Sequence, residues 1–330
     1  MKGVRLTGSR HAELAELPIP SLRKGEVLIK VKVSAVCGSE RIDYENGCGY
    51  VPGHEFAGEV AETNGYGRIR TGDRVAVNVL CGCGTCYYCK AGLPQFCRSC
   101  LICQGGHAQY AVVPGKCCLK LPERMDYETG VLIGGDTLGV AFRAASKLPK
   151  DLGKIIMVSG TGPIGLGMIL TLKYFGYYVV AVEPNLFRNH FAVSAAGADE
   201  VFSSQEAAAE RICELTGGMG ADAVMECSGN GRAQKHTLKI VKPQGTVVFC
   251  GENYSQIEIA PSQDIIHKEV CITGAFYFTE NDFHNMCMLY ERGFDPIKLV
   301  SHRFPLHDAQ KAYQCFFEGN TGKVLLTDRA

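Results

Sequence analysis

A chain of 330 residues, 46% of them apolar, is long enough for two domains of ordinary size with a sizeable core. Its 34 basic and 34 acidic residues leave zero formal charge, which removes the electrostatic basis for a nucleic-acid or acidic-membrane partner. No apolar h-region follows Met1-Lys2-Gly3, so a cytoplasmic protein is expected, and in that reducing setting 17 cysteines, seven of them crowded between Cys81 and Cys103, point to metal binding rather than to a disulfide scaffold.

The first 35 residues hold short β-branched runs between turn residues. Val27 to Val33 alternates apolar and charged side chains over its second half, the period of a half-buried strand. At the end of this run stand Cys37-Gly38-Ser39, then a polar loop from Glu40 to Tyr50, then Gly53-His54-Glu55. Thiolate, imidazole and carboxylate are ligand types that zinc prefers, so Cys37 to Glu55 is a candidate metal site. Further strand-like pieces at Ala57 to Ala61, Arg74 to Leu80 and Ala108 to Val113 complete a β-rich domain through about residue 125.

Within that domain Cys83, Cys86, Cys89 and Cys97 follow the spacing C-x2-C-x2-C-x7-C. Four thiolates so spaced can enclose one tetrahedral zinc with no open position, a structural site. A ferredoxin-type cluster would need its fourth cysteine at position 93, which is Leu. Cys81, Cys100 and Cys103 are additional thiols of the same stretch, whereas isolated cysteines such as Cys213, Cys250 and Cys271 read as inert core residues.

From Thr137 to Leu148 the pattern becomes helical, and from Lys154 strands and helices alternate. Ile155 to Ser159 is an expected strand, Ile164 to Phe175 a helix, Tyr178 to Val182 a strand and Asn185 to Ala196 a helix; strands at Ala223 to Glu226 and Val247 to Cys250 follow. This succession predicts a parallel sheet with helices on both faces. The uncharged run Ile155 to Leu172 is interrupted by glycines and Pro163, which argues for strand, turn and buried helix and against a membrane span. Inside it, Gly160-Thr161-Gly162-Pro163-Ile164-Gly165 is a G-x-G-x-x-G that follows a strand and opens a helix, with Glu183 ending the next strand. Gly160 permits the tight turn, Gly162 lets backbone approach a pyrophosphate, and Gly165 lets helix and strand pack closely. Glu183 would accept hydrogen bonds from the adenosine ribose, favouring NAD over NADP, and Arg188 could brace the same ribose. The segment from Lys298 returns to short strand and helix pieces that could rejoin the first domain.

The combination resembles the zinc-dependent alcohol and polyol dehydrogenase branch of the medium-chain dehydrogenase/reductase superfamily, in the manner of sorbitol and threonine dehydrogenases. It rests on Cys37-Gly38-Ser39, Gly53-His54-Glu55-Phe56-Ala57-Gly58, Gly72-Asp73-Arg74-Val75, the four-cysteine lobe, the glycine turn, Glu226-Cys227-Ser228-Gly229 and Gly322-Lys323-Val324, in family order over nearly the whole chain. The resemblance implies an α/β protein: a GroES-like catalytic domain over residues 1–125 with a zinc lobe at 81–103, a Rossmann domain with a doubly wound parallel sheet over 126–297, and a return to the catalytic domain over 298–330. It implies NAD and two zinc ions per chain, and assembly as a homodimer or homotetramer. Cys37 and His54 match the first two catalytic zinc ligands, Glu55 the carboxylate at the metal's edge, and Asp136 the third ligand; an N-cap role for Asp136 is the alternative. Ser39 matches the hydroxyl that meets the substrate oxygen, while Pro163 and Ile164 belong to the coenzyme turn.

The chain departs from the family where a His usually relays the proton to solvent: Ile42 stands there, leaving the coenzyme ribose, a water, Asp43 or Tyr44 to finish the relay. Asn64 also replaces a small residue of the catalytic signature. The polar loop after Glu40 favours a secondary hydroxyl on a polyol, cyclitol or sugar derivative. The alternatives are an amino alcohol of the threonine type, a simple secondary alcohol, or a catalytically silent zinc-binding homologue. A zinc-free quinone or enoyl reductase would lack the Cys and His ligands.

Overall fold

A computed structural model describes residues 1–150 and 153–328. Contacts divide the chain into two units, Met1–Gly139 with Thr279–Ala330, and Val140–Phe278. The boundaries expected near residues 125 and 297 fall inside the first unit. Helix Tyr127–Ile133 packs there on strands Glu26–Ala35 and Glu55–Thr63 and on helix Glu280–Glu291.

The first unit is built on a seven-stranded sheet whose path runs Val300–Pro305, Lys323–Thr327, Glu26–Ala35, Glu55–Thr63, Arg74–Val77 and Cys118–Lys120, with Tyr110–Pro114 also paired to Glu26–Ala35. Alternation sets its faces: Val27, Ile29, Val31, Phe56, Val60, Val75 and Val77 are buried in one core, while Lys30 is exposed. Gly58 sits where two strands approach closely; a Cβ there would collide with the Lys30 carbonyl oxygen. Lys323–Thr327 pairs antiparallel with Glu26–Ala35, Leu325 opposite Ala35.

The second unit is a six-stranded parallel sheet in the order Glu200–Phe202, Tyr178–Val182, Ile155–Ser159, Ala221–Glu226, Val241–Phe249, Cys271–Gly274. The order turns around at Ile155–Ser159, whose strand feeds the glycine turn and then helix Pro163–Tyr174. Such a switch point leaves a crevice at the carboxyl ends of the strands, where doubly wound folds bind ligands. The sheet's middle strands are buried on both faces; Ile155–Ser159 and Tyr178–Val182 accordingly read as nearly continuous apolar runs, and Ala221–Glu226 departs from that only at Asp222 and Glu226. The helix expected over Asn185 to Ala196 is an α-helix at Leu186–Phe191 that widens into a π-turn at Ala192–Ala196.

Among the described residues no helix is long and apolar enough to cross a membrane. All 17 cysteines are free. Cys250 is buried as expected, but Cys213 and Cys271 are exposed, which corrects their reading as core residues. Cys213 lies on a helix whose apolar stripe is carried by Ala208 and Ile212, so an apolar-looking neighbourhood in sequence turned outward in space.

Candidate active site

Strand register brings the expected ligands together. Ala35 pairs with Glu55 across the antiparallel strands, so Cys37, two residues beyond one strand end, and His54, one residue before the start of the other, emerge on the same edge. Gly134-Gly135 then lets helix Asp136–Ala145 begin against them; a Cβ on Gly135 would stand 2.5 Å from Glu55 Oε2. Asp136 is the first helical residue and directs its carboxylate at His54, Oδ2 to Nε2 at 3.2 Å. One donor atom from each of Cys37, His54, Glu55 and Asp136 lies within 4.8 Å of all the others.

The chemistry of this cluster suits a cation. His54, Glu55 and Asp136 are buried, and Glu55 Oε2 and Asp136 Oδ1 are buried oxygens without hydrogen-bond partners among the described residues. Burial works against charge on His54, yet the neighbouring Cys37 and Asp136 push its pKa well above the ordinary imidazole value. Burial likewise lifts the Glu55 carboxyl above its usual range, partly offset by Lys323 and reinforced by Asp136. The donors present one sulfur, one nitrogen and carboxylate oxygens, the ligand set of an open zinc site.

Three residues outside the expected set support the cluster. Lys323 Nζ, fully buried, donates to Glu55 Oε1 at 2.5 Å. Glu40 was expected in a polar loop; instead it is 4% exposed, and its Oε1 lies 3.9 Å from His54 Nδ1. Burial opposes its ionisation, but the His107 and His54 imidazoles and the bonds from His107 and Tyr313 hold its pKa below the usual carboxylate value. His107 is wholly buried beside it. A lysine inside the apolar run Lys323-Val324-Leu325-Leu326 was the sequence signal for the first; Glu40 and His107 had none that local pattern could carry.

The loop after Cys37 is a 3-10 turn, Gly38–Glu40, followed by a short helix, Arg41–Asn46. Ser39 is exposed on that turn, and Ile42 is exposed beyond it. Tyr44 is buried against Tyr313 and Phe317 with its hydroxyl accepting from Gln310, which makes it a packing residue rather than a relay member. Asp43 accepts from the Tyr50 hydroxyl at 2.6 Å. Arg41 is exposed over the Phe317 ring.

The sulfurs of Cys83, Cys86, Cys89 and Cys97 form a second group within 4.8 Å. Backbone N–H groups of Thr85 and Cys86 point at Cys83 Sγ, and that of Cys83 at Cys97 Sγ. Hydrogen bonds from the Thr85 side chain, the Thr85 and Cys86 backbone and Cys97 bring the Cys83 pKa down to about 5, whereas burial and the neighbouring cysteines push that of Cys89 up to about 12, so the loop favours a thiolate at Cys83.

In the second unit Gly160 has φ +88°, and Gly165 is packed so closely that a Cβ would collide with the Gly160 carbonyl oxygen. Nothing lies within 4 Å of a Cβ built on Gly162. The fold therefore demands the first and third glycines, and the second leaves open space at the start of helix Pro163–Tyr174, where Pro163 occupies the first turn and Ile164 follows. Glu183 is tied into the turn: Oε2 accepts from the Thr161 N–H and hydroxyl at 3.0 and 3.1 Å, and Oε1 from the Asn185 N–H at 2.9 Å. Arg188 is half-buried on the next helix, its carbonyl accepting from the Thr161 hydroxyl at 3.4 Å.

A Cys-His-carboxylate cluster and a four-cysteine lobe in one unit, and a doubly wound parallel sheet in the other, are the parts of the zinc dehydrogenase class. Residues 23–123 match the alcohol dehydrogenase GroES-like domain, and residues 163–292 match the zinc-binding dehydrogenase domain. The L-threonine 3-dehydrogenase of Pyrococcus furiosus is 33% identical over 95% of this chain and 94% of its own length. The sorbitol dehydrogenase of Halalkalibacterium halodurans is 32% identical over 97% and 96%. An alcohol dehydrogenase structure from Thermus sp. ATN1 superposes with a TM-score of 0.92 at 26% identity, covering 100% of both chains. The chain belongs to the zinc-type medium-chain alcohol and polyol dehydrogenases, oxidoreductases that act on CH–OH groups.

Proposed function

We propose that this enzyme moves hydride between NAD and a secondary alcohol or ketone, the alcohol being a polyol, cyclitol or sugar derivative. Cys37, His54 and Asp136 hold the catalytic zinc, with Glu55 at its edge. The observation that carries the reading is the mixed S, N and O cluster in which buried carboxylate oxygens lack partners among the described residues. Zinc in such a site supplies a Lewis acid that favours ionisation of the substrate hydroxyl. Hydride acceptance is the chemistry a bound nicotinamide supplies.

The chain's own residues orient the reactants and move the proton. Ser39 Oγ accepts the hydrogen bond of the substrate hydroxyl and passes the proton to water, which its exposure permits and which Ile42 could not carry. Gly160, Gly162, Pro163, Ile164 and Gly165 shape the pyrophosphate site. Glu183, with lone pairs beyond those used by Thr161 and Asn185, receives the ribose hydroxyls and disfavours a 2′-phosphate; Arg188 braces the same ribose. Cys83, Cys86, Cys89 and Cys97 hold a second, structural zinc. A catalytic domain from both chain ends, a coenzyme domain between them, and a cytoplasmic homodimer or homotetramer belong to the same reading.

Reduction of NAD and NADP against a panel of polyols, cyclitols, amino alcohols and simple alcohols tests it. The expected result is NAD-linked turnover fastest with a polyol, cyclitol or sugar derivative. Faster turnover of simple primary alcohols than of any polyol would defeat the substrate assignment. A preference for L-threonine would favour the amino-alcohol reading, which the 33% identity to the Pyrococcus furiosus enzyme supports.

A further inference from the structure

His54 meets the cluster through Nε2, which lies 3.2 Å from Asp136 Oδ2. An imidazole that gives its Nε2 lone pair to a metal carries its proton on Nδ1, and a buried N–H requires an acceptor. Nδ1 faces Glu40 Oε1 at 3.9 Å, the two side chains being 10% and 5% exposed. That oxygen is buried and has no hydrogen-bond partner among the described residues. The other oxygen of the same carboxylate is fully engaged. Oε2 accepts from the Tyr313 hydroxyl at 2.7 Å and from His107 Nε2 at 3.3 Å. Glu40 is thus pinned at one oxygen, and its free one is turned towards the outer nitrogen of His54. Moving from 3.9 Å to hydrogen-bond distance takes a shift of about 1 Å or less.

The two anchors are themselves held. His107 Nδ1 lies 2.7 Å from the Ser34 hydroxyl, and because an ionised carboxylate only accepts, it is Nε2 that donates to Glu40, with Nδ1 of the neutral ring left to accept from Ser34. The His107 ring packs on Gly53, where φ is +94° and a Cβ would stand 2.6 Å from Nδ1. Its backbone N–H donates to the Pro52 carbonyl at 3.0 Å, and the Gly106 N–H donates to the Gly53 carbonyl at 2.8 Å. His107 therefore grips the backbone just before His54 while its ring steers the carboxylate behind His54. Tyr313 reaches the same point from helix Ala309–Glu318, edge-on to His107 with ring centroids 5.9 Å apart. A glutamate has three side-chain torsions, and without anchors its free oxygen would have no fixed direction.

We infer that His107 and Tyr313 are positioning residues of the metal centre: they clamp Glu40 so that its free oxygen receives the Nδ1 hydrogen of His54. The inference rests on the reading of His54 as a zinc ligand. Neither residue belongs to the donor cluster of Cys37, His54, Glu55 and Asp136; both act through Glu40.

The test measures zinc per chain and zinc affinity by chelator competition on the holoenzyme, together with the visible spectrum of the cobalt-substituted catalytic centre. Tyr313→Phe removes one hydroxyl and keeps the ring; His107→Phe removes both ring nitrogens. Each is expected to weaken one zinc by about 10–100-fold and to shift the cobalt spectrum, with the four-cysteine zinc unchanged. In a Glu40→Gln background the further loss should largely vanish, because all three changes act on one interaction. Wild-type zinc affinity and cobalt spectrum in folded Tyr313→Phe and His107→Phe would overturn the inference, as would losses that add in full on top of Glu40→Gln. If His107→Phe does not fold, Tyr313→Phe decides the matter alone. A wild-type protein holding only the four-cysteine zinc would instead remove the catalytic-metal reading itself, and the inference with it.

Discussion

Lys323 and Glu55 are both about 1% exposed and form an ion pair at 2.5 Å directly behind the cluster. The value of such a pair lies less in its own attraction than in what its breakage leaves behind. Lys323→Met leaves a buried carboxylate without its cation and is expected to cost about 3–5 kcal/mol, read from urea unfolding at neutral pH. The sign of its pH dependence follows from Glu55, whose pKa burial already raises and Lys323 partly restrains. A carboxyl with a raised folded pKa favours the fold below its unfolded value and loses that contribution as pH rises through the folded one. Losing Lys323 raises the folded value further, so the deficit should shrink as the pH falls towards 4. A deficit independent of pH would contradict this account. The coenzyme turn offers a sharper contrast. Gly162→Ala meets open space and should leave stability within about 0.5 kcal/mol while weakening NAD binding tenfold or more, measured by fluorescence titration. Gly165→Ala meets the Gly160 carbonyl and should destabilise by about 1–3 kcal/mol. Equal stability losses in the two would mean that the second glycine serves the fold rather than a ligand.

At the scale of elements, the four-cysteine lobe has little structure to stand on. It contains a two-residue strand pair, Leu80–Cys81 with Leu101–Ile102, a four-residue helix at Tyr87–Lys90, and a turn at Pro94–Phe96. Tyr87 and Leu101 are 80% and 64% exposed, so the lobe has almost no core of its own. Segments this small take their order from a metal. Cys97→Ser is therefore expected to open residues 81–103 to proteolytic nicking while the two sheets survive, as seen by limited proteolysis and circular dichroism. An intact lobe in that variant would show that packing alone holds it. Elements were legible in the sequence wherever pattern and punctuation were strong: Ile155–Ser159 and Tyr178–Val182 fall where short apolar runs bounded by turn residues place them. The π-turn after Leu186–Phe191 was not, because Ala192–Ala196 continues a helical pattern and the widening depends on packing. Nor was the helix Arg41–Asn46, whose polar composition reads as loop while Tyr44 buries itself between neighbouring aromatic rings.

Across the whole molecule, the grouping of Cys37, His54, Glu55 and Asp136 was legible because each sits in a local motif at a strand or helix end. Its supports were not. Glu40 meets Tyr313 across 273 residues of sequence, Lys323 meets Glu55 across 268, and His107 meets Glu40 across 67. The contact of Lys323 with Glu55 forms only once strand Lys323–Thr327 has paired with Glu26–Ala35. A single sequence marks Glu40, His107 and Tyr313 as polar and nothing more, whereas the fold turns them inward behind His54. The same folding that buries Asp136 and Glu55 leaves each an oxygen that no donor among the described residues reaches. The central claim is that a cation completes them, independently of the four-cysteine lobe. Zinc analysis of purified wild-type protein and Cys37→Ala tests it most directly. Two zincs per chain in the wild type, one for each donor group, and one in folded, inactive Cys37→Ala are the predicted result. A single zinc present equally in both proteins would contradict it.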